Sequence, residues 1–120
     1  MSPNIKIVQP SGILDSTKVA EFRQEINESV RNGAQIILID FKDVTFMDSS
    51  GLGALVLALK TVRAENRKLF ICSINEQIKM LFELTSMDRV FHIYGDRDAF
   101  HEDIADSQVT ATSSEESSLS

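Results

Sequence analysis

With one cysteine, the chain cannot close a disulfide on itself, and Cys72 lies in the apolar run LFICSI, where a small buried hydrophobe is expected rather than a reactive thiol. Histidine is almost as scarce. His92 and His101 show no metal-ligand spacing, and nothing in the pattern sets either beside a serine, so a metal site and a serine hydrolase both lack their parts. Basic residues are outnumbered, Lys+Arg 12 against Asp+Glu 18, and the net charge of −6 disfavours phosphate backbones and anionic lipid. The one basic cluster, Lys60, Arg63, Arg67 and Lys68, is interrupted by Glu65 and has no interleaved aromatics for base stacking, as in a solvated helix end. Long apolar runs are missing too: the longest, near residues 51–59, is too short to span a bilayer. MSPNIKIVQP has no basic segment leading into an apolar run of the kind a secretory signal needs. These absences point to a cytoplasmic protein whose partners are proteins, with no direct contact to nucleic acid or membrane.

What is present describes one ordinary domain. A 120-residue chain with 42% apolar and 25% charged residues has the composition of a globular protein, and folding at this length buries roughly two thirds of the unfolded surface. IKIV (residues 5–8) alternates as a strand does, with Pro10, Ser11 and Gly12 expected to end it. Asp15 or Ser16 then offers an N-cap for a helix whose core stripe is Val19, Phe22, Ile26 and Val30, closed by the glycine of RNG (residues 31–33). QIILIDF (35–41) has the continuous branched character of a central strand, pairing parallel with the first. A helix over about 50–63, the strand LFICSI and a helix over about 75–84 follow. That last helix turns Ile78, Leu81 and Phe82 inward, and Ser73 and Glu76 stand at capping-box spacing before it. VFHIY (90–94) reads as the last strand, and Phe100 with Ile104 marks one face of a final helix. Strands alternating with helices predict an α/β domain with a largely parallel sheet. No internal repeat is visible, and residues 107–120, rich in serine and threonine, are expected to form a disordered acidic tail.

The stretch TFMDSSGLG (45–53) gathers an acid, two hydroxyls and two glycines where a strand gives way to a helix. In parallel α/β sheets, functional groups collect beyond the carboxyl ends of strands, which puts Asp15 and Asp48 on one rim. Asp48, Ser49 and Ser50 are all good N-cap residues, and local chemistry alone favours a cap. Ser49 also suits a phosphate: at the first turn of a helix it would meet unpaired N–H groups and the positive end of the dipole, with Gly51 leaving room. The helix beyond carries two apolar stripes, Leu52, Leu55, Val56, Leu59 and Val62 on one side, and Ala54, Leu57 and Ala58 on the adjoining one. Such a helix is either packed on two sides within the domain or packed on one and docked by a partner on the other.

FMDSSGLGALVLALK, preceded by IILIDFKDVT and followed by LFICSINEQIKMLFELTSMDRVF, resembles the STAS domain of bacterial anti-sigma-factor antagonists over roughly residues 5–105. The resemblance implies a STAS fold over residues 1–106, a small, mostly parallel mixed sheet packed with about four helices, although the N-terminus is short for the extra first strand that many members carry. It implies that Ser49 is phosphorylated by a serine kinase that is also an anti-sigma factor and uses ATP, and that a PP2C-type phosphatase reverses this. It implies a partner-binding surface including Asp15, Asp48, Ser50, Gly51, Leu52, Ala54, Leu57 and Ala58. The domain itself would then be a substrate and ligand, not an enzyme, and would need no cofactor.

Two further alternatives stay in view. A STAS adaptor could use the same surface with no phosphate switch. A response-regulator receiver would place its phosphorylated aspartate at Asp40, but receivers need an acidic pair after the first strand, where this chain has QPSG, and a lysine after the last, where it has IYGD. A hydrolase elbow is missing as well, since neither Ser49 nor Ser50 has a glycine two positions before it.

Overall fold

The computed structural model describes residues 4–105; the tail expected at 107–120 lies outside them. In chain order the elements are β1 (Ile5–Val8), β2 (Ser11–Leu14), α1 (Val19–Arg31), β3 (Ile36–Asp40), β4 (Asp43–Met47), α2 (Ser49–Ala64), β5 (Lys68–Cys72), α3 (Glu76–Leu84), a 3-10 turn (Met87–Arg89) and β6 (Ile93–Tyr94). A last helix, α4, covers residues 97–105. The strands form a four-stranded sheet in the order β1-β3-β5-β6 and a separate pair, β2-β4, with every pairing parallel. The α/β class with parallel pairing is as expected, but β2 and β4 interrupt the simple alternation of strand and helix. Pro10 and Gly12 do not lead straight into α1, because the chain extends again through Ser11–Leu14.

β3 sits at the centre with all five residues buried, as its unbroken apolar run requires. The period of two splits the main sheet into two faces. Val8, Ile37, Ile39 and Ile71 pack with Phe22, Ile26, Leu55, Leu59 and Val62 of α1 and α2. Ile36, Leu38 and Cys72 pack on the other side with Phe100, and the half-buried Ile5, Ile7, Phe70, Tyr94 and Ile104 border them. Cys72 is buried there, and desolvation pushes its thiol up to about 11, so it stays protonated at neutral pH.

Helix boundaries follow local chemistry that differs from the expected caps in two places. α1 starts at Val19 with Lys18 in the cap position and no side-chain cap. Asp15 instead closes a turn of its own, accepting from the Thr17 amide at 3.0 Å and the Thr17 hydroxyl at 2.5 Å. The glycine end of α1 is as predicted: Gly33 takes φ +91°, and its amide and that of Ala34 donate to the carbonyls of Val30 and Ser29, a Schellman closure. α3 is capped by Asn75, whose side chain accepts from the Ile78 amide at 2.9 Å, rather than by a Ser73–Glu76 box. Ser73 cannot serve, because it turns with φ +63° at the end of β5. The last strand shortens to Ile93–Tyr94, since Val90 and Phe91 continue the 3-10 turn, their amides donating to the Met87 carbonyl at 3.0 and 3.2 Å.

α4 is tied to the carboxyl end of the sheet by the ion pair Arg97–Asp40, Nε to Oδ2 at 2.6 Å, while the Lys42 amide donates to Oδ1 at 2.9 Å. Arg97 also donates to Gln9, and the Gln9 amide donates to Asp43 at 2.8 Å, so a chain of polar contacts runs from α4 to the start of β4. Burial alone would raise the Asp40 pKa, but the Arg97 bond and charge and the Lys42 amide outweigh it, and the carboxyl lies below its ordinary value. A lowered folded pKa contributes stability that is present above the unfolded value and lost as pH falls through the folded one. Arg97→Gln should therefore cost about 2 kcal/mol in urea denaturation at pH 7, and the gap from wild type should close in acid. A gap that stays constant into acid would mean that Arg97 acts by packing alone.

Candidate functional site

The site is built where β2 and β4 end together. Their register sets Ile13 beside Phe46 and Leu14 beside Met47, with an irregularity between Gly12 and Ile13, where Gly12 takes φ +74°. Leu14 and Met47 are buried beneath the pair, while Ile13 and Phe46 are 51% and 44% exposed on its outer face. The next residues in each strand are Asp15 and Asp48, so both acids leave the sheet at the same edge. The rim expected from sequence is present, but it is built from β2 and β4, two strands that the sequence pattern did not resolve, rather than from the first and second strands expected at residues 5–8 and 35–41.

Asp48 has extended backbone and caps α2: its side chain accepts from the Gly51 amide at 3.0 Å, and its carbonyl accepts from the Leu52 amide at 3.0 Å. Ser49 is thus the first residue of the helix, exposed, with Ser50 exposed after it. The cap already takes the amide of Gly51, so a phosphate on Ser49 would stand beside the Asp48 carboxylate instead of having the helix end to itself. Asp15 is ionised at neutral pH, since the Thr17 hydroxyl and amide and the nearby Lys18 charge hold its carboxyl below the ordinary range.

Gly51 has a different task from the one its place beside Ser49 suggested. A Cβ there would stand 2.3 Å from the Leu14 carbonyl oxygen and 3.0 Å from the Met47 side chain. The missing side chain lets α2 begin against the β2 backbone and is not space kept for a phosphate.

α2 is buried on two sides. Leu52, Leu55, Leu59 and Val62 face the sheet, and Ala54 and Ala58, expected on a partner face, are 7% and 5% exposed because α1 packs against α2. Gly51 and Leu52 are buried too. Of the apolar residues expected to meet a partner, Leu57 stands out at 53% exposure. It borders a shallow, largely apolar depression of about 790 Å³ that runs from Ser16 and Ser49 past Val56 to Met87. Met87 and Thr85 on its far wall had no sequence signal pointing to them. Ile13 and Phe46 were equally hidden, although the alternation in GIL and TFM carries their outward direction.

The model of the family described as STAS domain matches residues 1–99. The chain belongs to the STAS domain family. The anti-sigma-B factor antagonist of Staphylococcus aureus (strain NCTC 8325 / PS 47) is 30% identical over 86 residues, which cover 72% of this STAS domain chain and 80% of that protein. A Thermotoga maritima protein shares its fold at TM-score 0.78 and 24% identity, over 85% of this chain and 88% of that one. Bacillus SpoIIAA, solved in its phosphorylated form, aligns at TM-score 0.64 and 17% identity, over 85% of this chain and 93% of that one. These two likenesses speak for the fold. Within the STAS fold, Asp40, the residue a receiver would phosphorylate, is buried at the carboxyl end of the central strand and paired with Arg97, where it holds α4 in place.

The close approach of α2 to β2 gives a direct test. Gly51→Ala should lower stability by about 2–3 kcal/mol, read as a shift in the urea midpoint, because the Leu14 carbonyl is backbone and cannot swing aside. Gly53→Ala, whose Cβ meets nothing within 4 Å, should leave stability unchanged or raised.

Proposed function

We propose that this STAS domain is an anti-sigma-factor antagonist that binds a cognate anti-sigma factor with serine kinase activity while Ser49 is free, and lets go when Ser49 carries phosphate. One observation carries the reading: Ser49 is exposed at the head of α2, directly after Asp48 and on the edge of the apolar depression that Leu57 borders. The relation to the Staphylococcus aureus antagonist supports the anti-sigma partner. SpoIIAA, also described as an anti-sigma factor antagonist, has phosphorylated and unphosphorylated forms that match this fold equally, each at TM-score 0.64. An electrostatic switch needs no change of fold.

A phosphate adds about −1.5 to −2 charge to a rim that already holds Asp15 and Asp48. A carboxylate of the partner ~6 Å away, at an effective dielectric of ~20, would feel at most roughly 5 kcal/mol of repulsion, reduced by salt. A couple of kcal/mol already weakens binding more than tenfold. ATP and its metal are the kinase's, and a PP2C-type phosphatase resets the domain, which serves as substrate and ligand.

Peptide mass spectrometry of the protein from its native cells, with phosphatase inhibited, should locate phosphate on Ser49. Ser49→Ala should keep partner binding and abolish kinase-dependent release; release that persists would favour a STAS adaptor without the switch. Leu57→Glu should weaken partner binding at least tenfold in a titration, with stability held within about 0.5 kcal/mol as for other exposed positions.

A further inference from the structure

β4 pairs with β2 along one edge and, among the described residues, has no strand on the other. Two side-chain amides from the start of α3 cover that edge. Asn75 Nδ2 donates to the carbonyls of Val44 and Thr45, each at 3.2 Å. Gln77 does more: its Oε1 accepts from the Met47 amide at 2.8 Å, and its Nε2 donates to the Met47 carbonyl at 2.8 Å. One planar side chain thus makes the donor and acceptor bonds that a neighbouring strand would make to this residue.

The second bond has the larger consequence. The Met47 carbonyl and the Asp48 amide belong to one rigid peptide plane. Gln77 holds that plane by its oxygen, and the Leu14 carbonyl accepts from its N–H at 3.4 Å on the other side. The plane leads directly to the Asp48 cap and then to Ser49. Gln77 is half-buried, lies in a different element and is thirty residues away in sequence from the plane it holds.

We propose that Gln77 is a positioning residue for the Ser49 phosphoacceptor, fixing the Met47–Asp48 peptide so that the hydroxyl is presented in one geometry to the kinase. The proposal rests on the reading of Ser49 as the phosphorylated residue. Transfer to a held hydroxyl depends on alignment, so loss of the clamp reduces turnover, whereas the docking surface around Leu57 and Met87 is left intact and binding changes little.

Two variants test this. Gln77→Met removes both bonds at similar length. Gln77→Glu keeps an acceptor for the Met47 amide but sets a carboxylate oxygen against the Met47 carbonyl. The probe is the ATP-dependent kinase fraction, purified from native cells, that phosphorylates wild-type Ser49, with turnover and KM measured for each domain. Amide hydrogen exchange by NMR is followed at Met47, and at Leu38 in the central strand as the reference for global stability. Both variants should lose at least fivefold in kcat with KM within twofold, and in Gln77→Met the Met47 exchange should quicken at least tenfold while Leu38 is unchanged. Wild-type kcat in variants with quickened Met47 exchange would overturn the proposal and leave the switch standing. A loss of kcat that comes with equally quickened exchange at Leu38 would overturn it too, since the role would then be general stability. A kinase fraction that modifies the wild type at another residue would remove the reading of Ser49 itself.

Discussion

The carbonyl oxygen of Leu14 lies where the side chain of residue 51 would be, and the whole acidic edge depends on that near-contact. Because Gly51 has no Cβ, α2 begins against the end of β2; the same carbonyl accepts from the Asp48 amide, and Met47 stays sealed beneath. The β2-β4 register then brings Asp15 and Asp48 out together. Any larger residue at 51 must push α2 away from β2, and the cap, the serine and both carboxylates move with it. Stability and the geometry of the site are thus set by one packing constraint.

A second layer of bonds keeps the edge rigid from behind. Asn75 and Gln77 take the place of a missing strand beside β4, and the Asp43–Gln9–Arg97–Asp40 contacts fasten its other end to α4. Ser49 stands on a rigid support with nothing of its own to rearrange. In the proposed switch, the phosphate acts by charge on a surface that is already negative and already shaped, and the energy comes from repulsion at the partner's face rather than from refolding.

Much of this was legible in the residues. The helical stripes of α1 and α3 and the buried runs of β3 and β5 follow from periodicity, and DSSGLG marked the helix start to within a residue, about Ser50 against the observed Ser49. β2 and β4 were harder to see, because each is four or five residues long, exposes one face and is held by pairing with a segment about thirty residues distant. Pro10 and Gly12 signal a turn locally, and tertiary pairing overrides them. Ala54 and Ala58 looked available to a partner because a helix stripe does not say which neighbour covers it; α1 does. Gln77 left no local trace at all, since a polar residue in the first turn of a helix is ordinary and its partners lie across the domain.

The central claim is that charge at Ser49 decides whether the kinase partner stays bound. The most direct test is a calorimetric titration of that partner with the unmodified domain and with the domain phosphorylated stoichiometrically on Ser49, at low and at physiological salt. The account predicts binding at least tenfold weaker for the phosphorylated domain, with the difference narrowing as salt rises. Equal affinities for the two forms at both salt concentrations would contradict it.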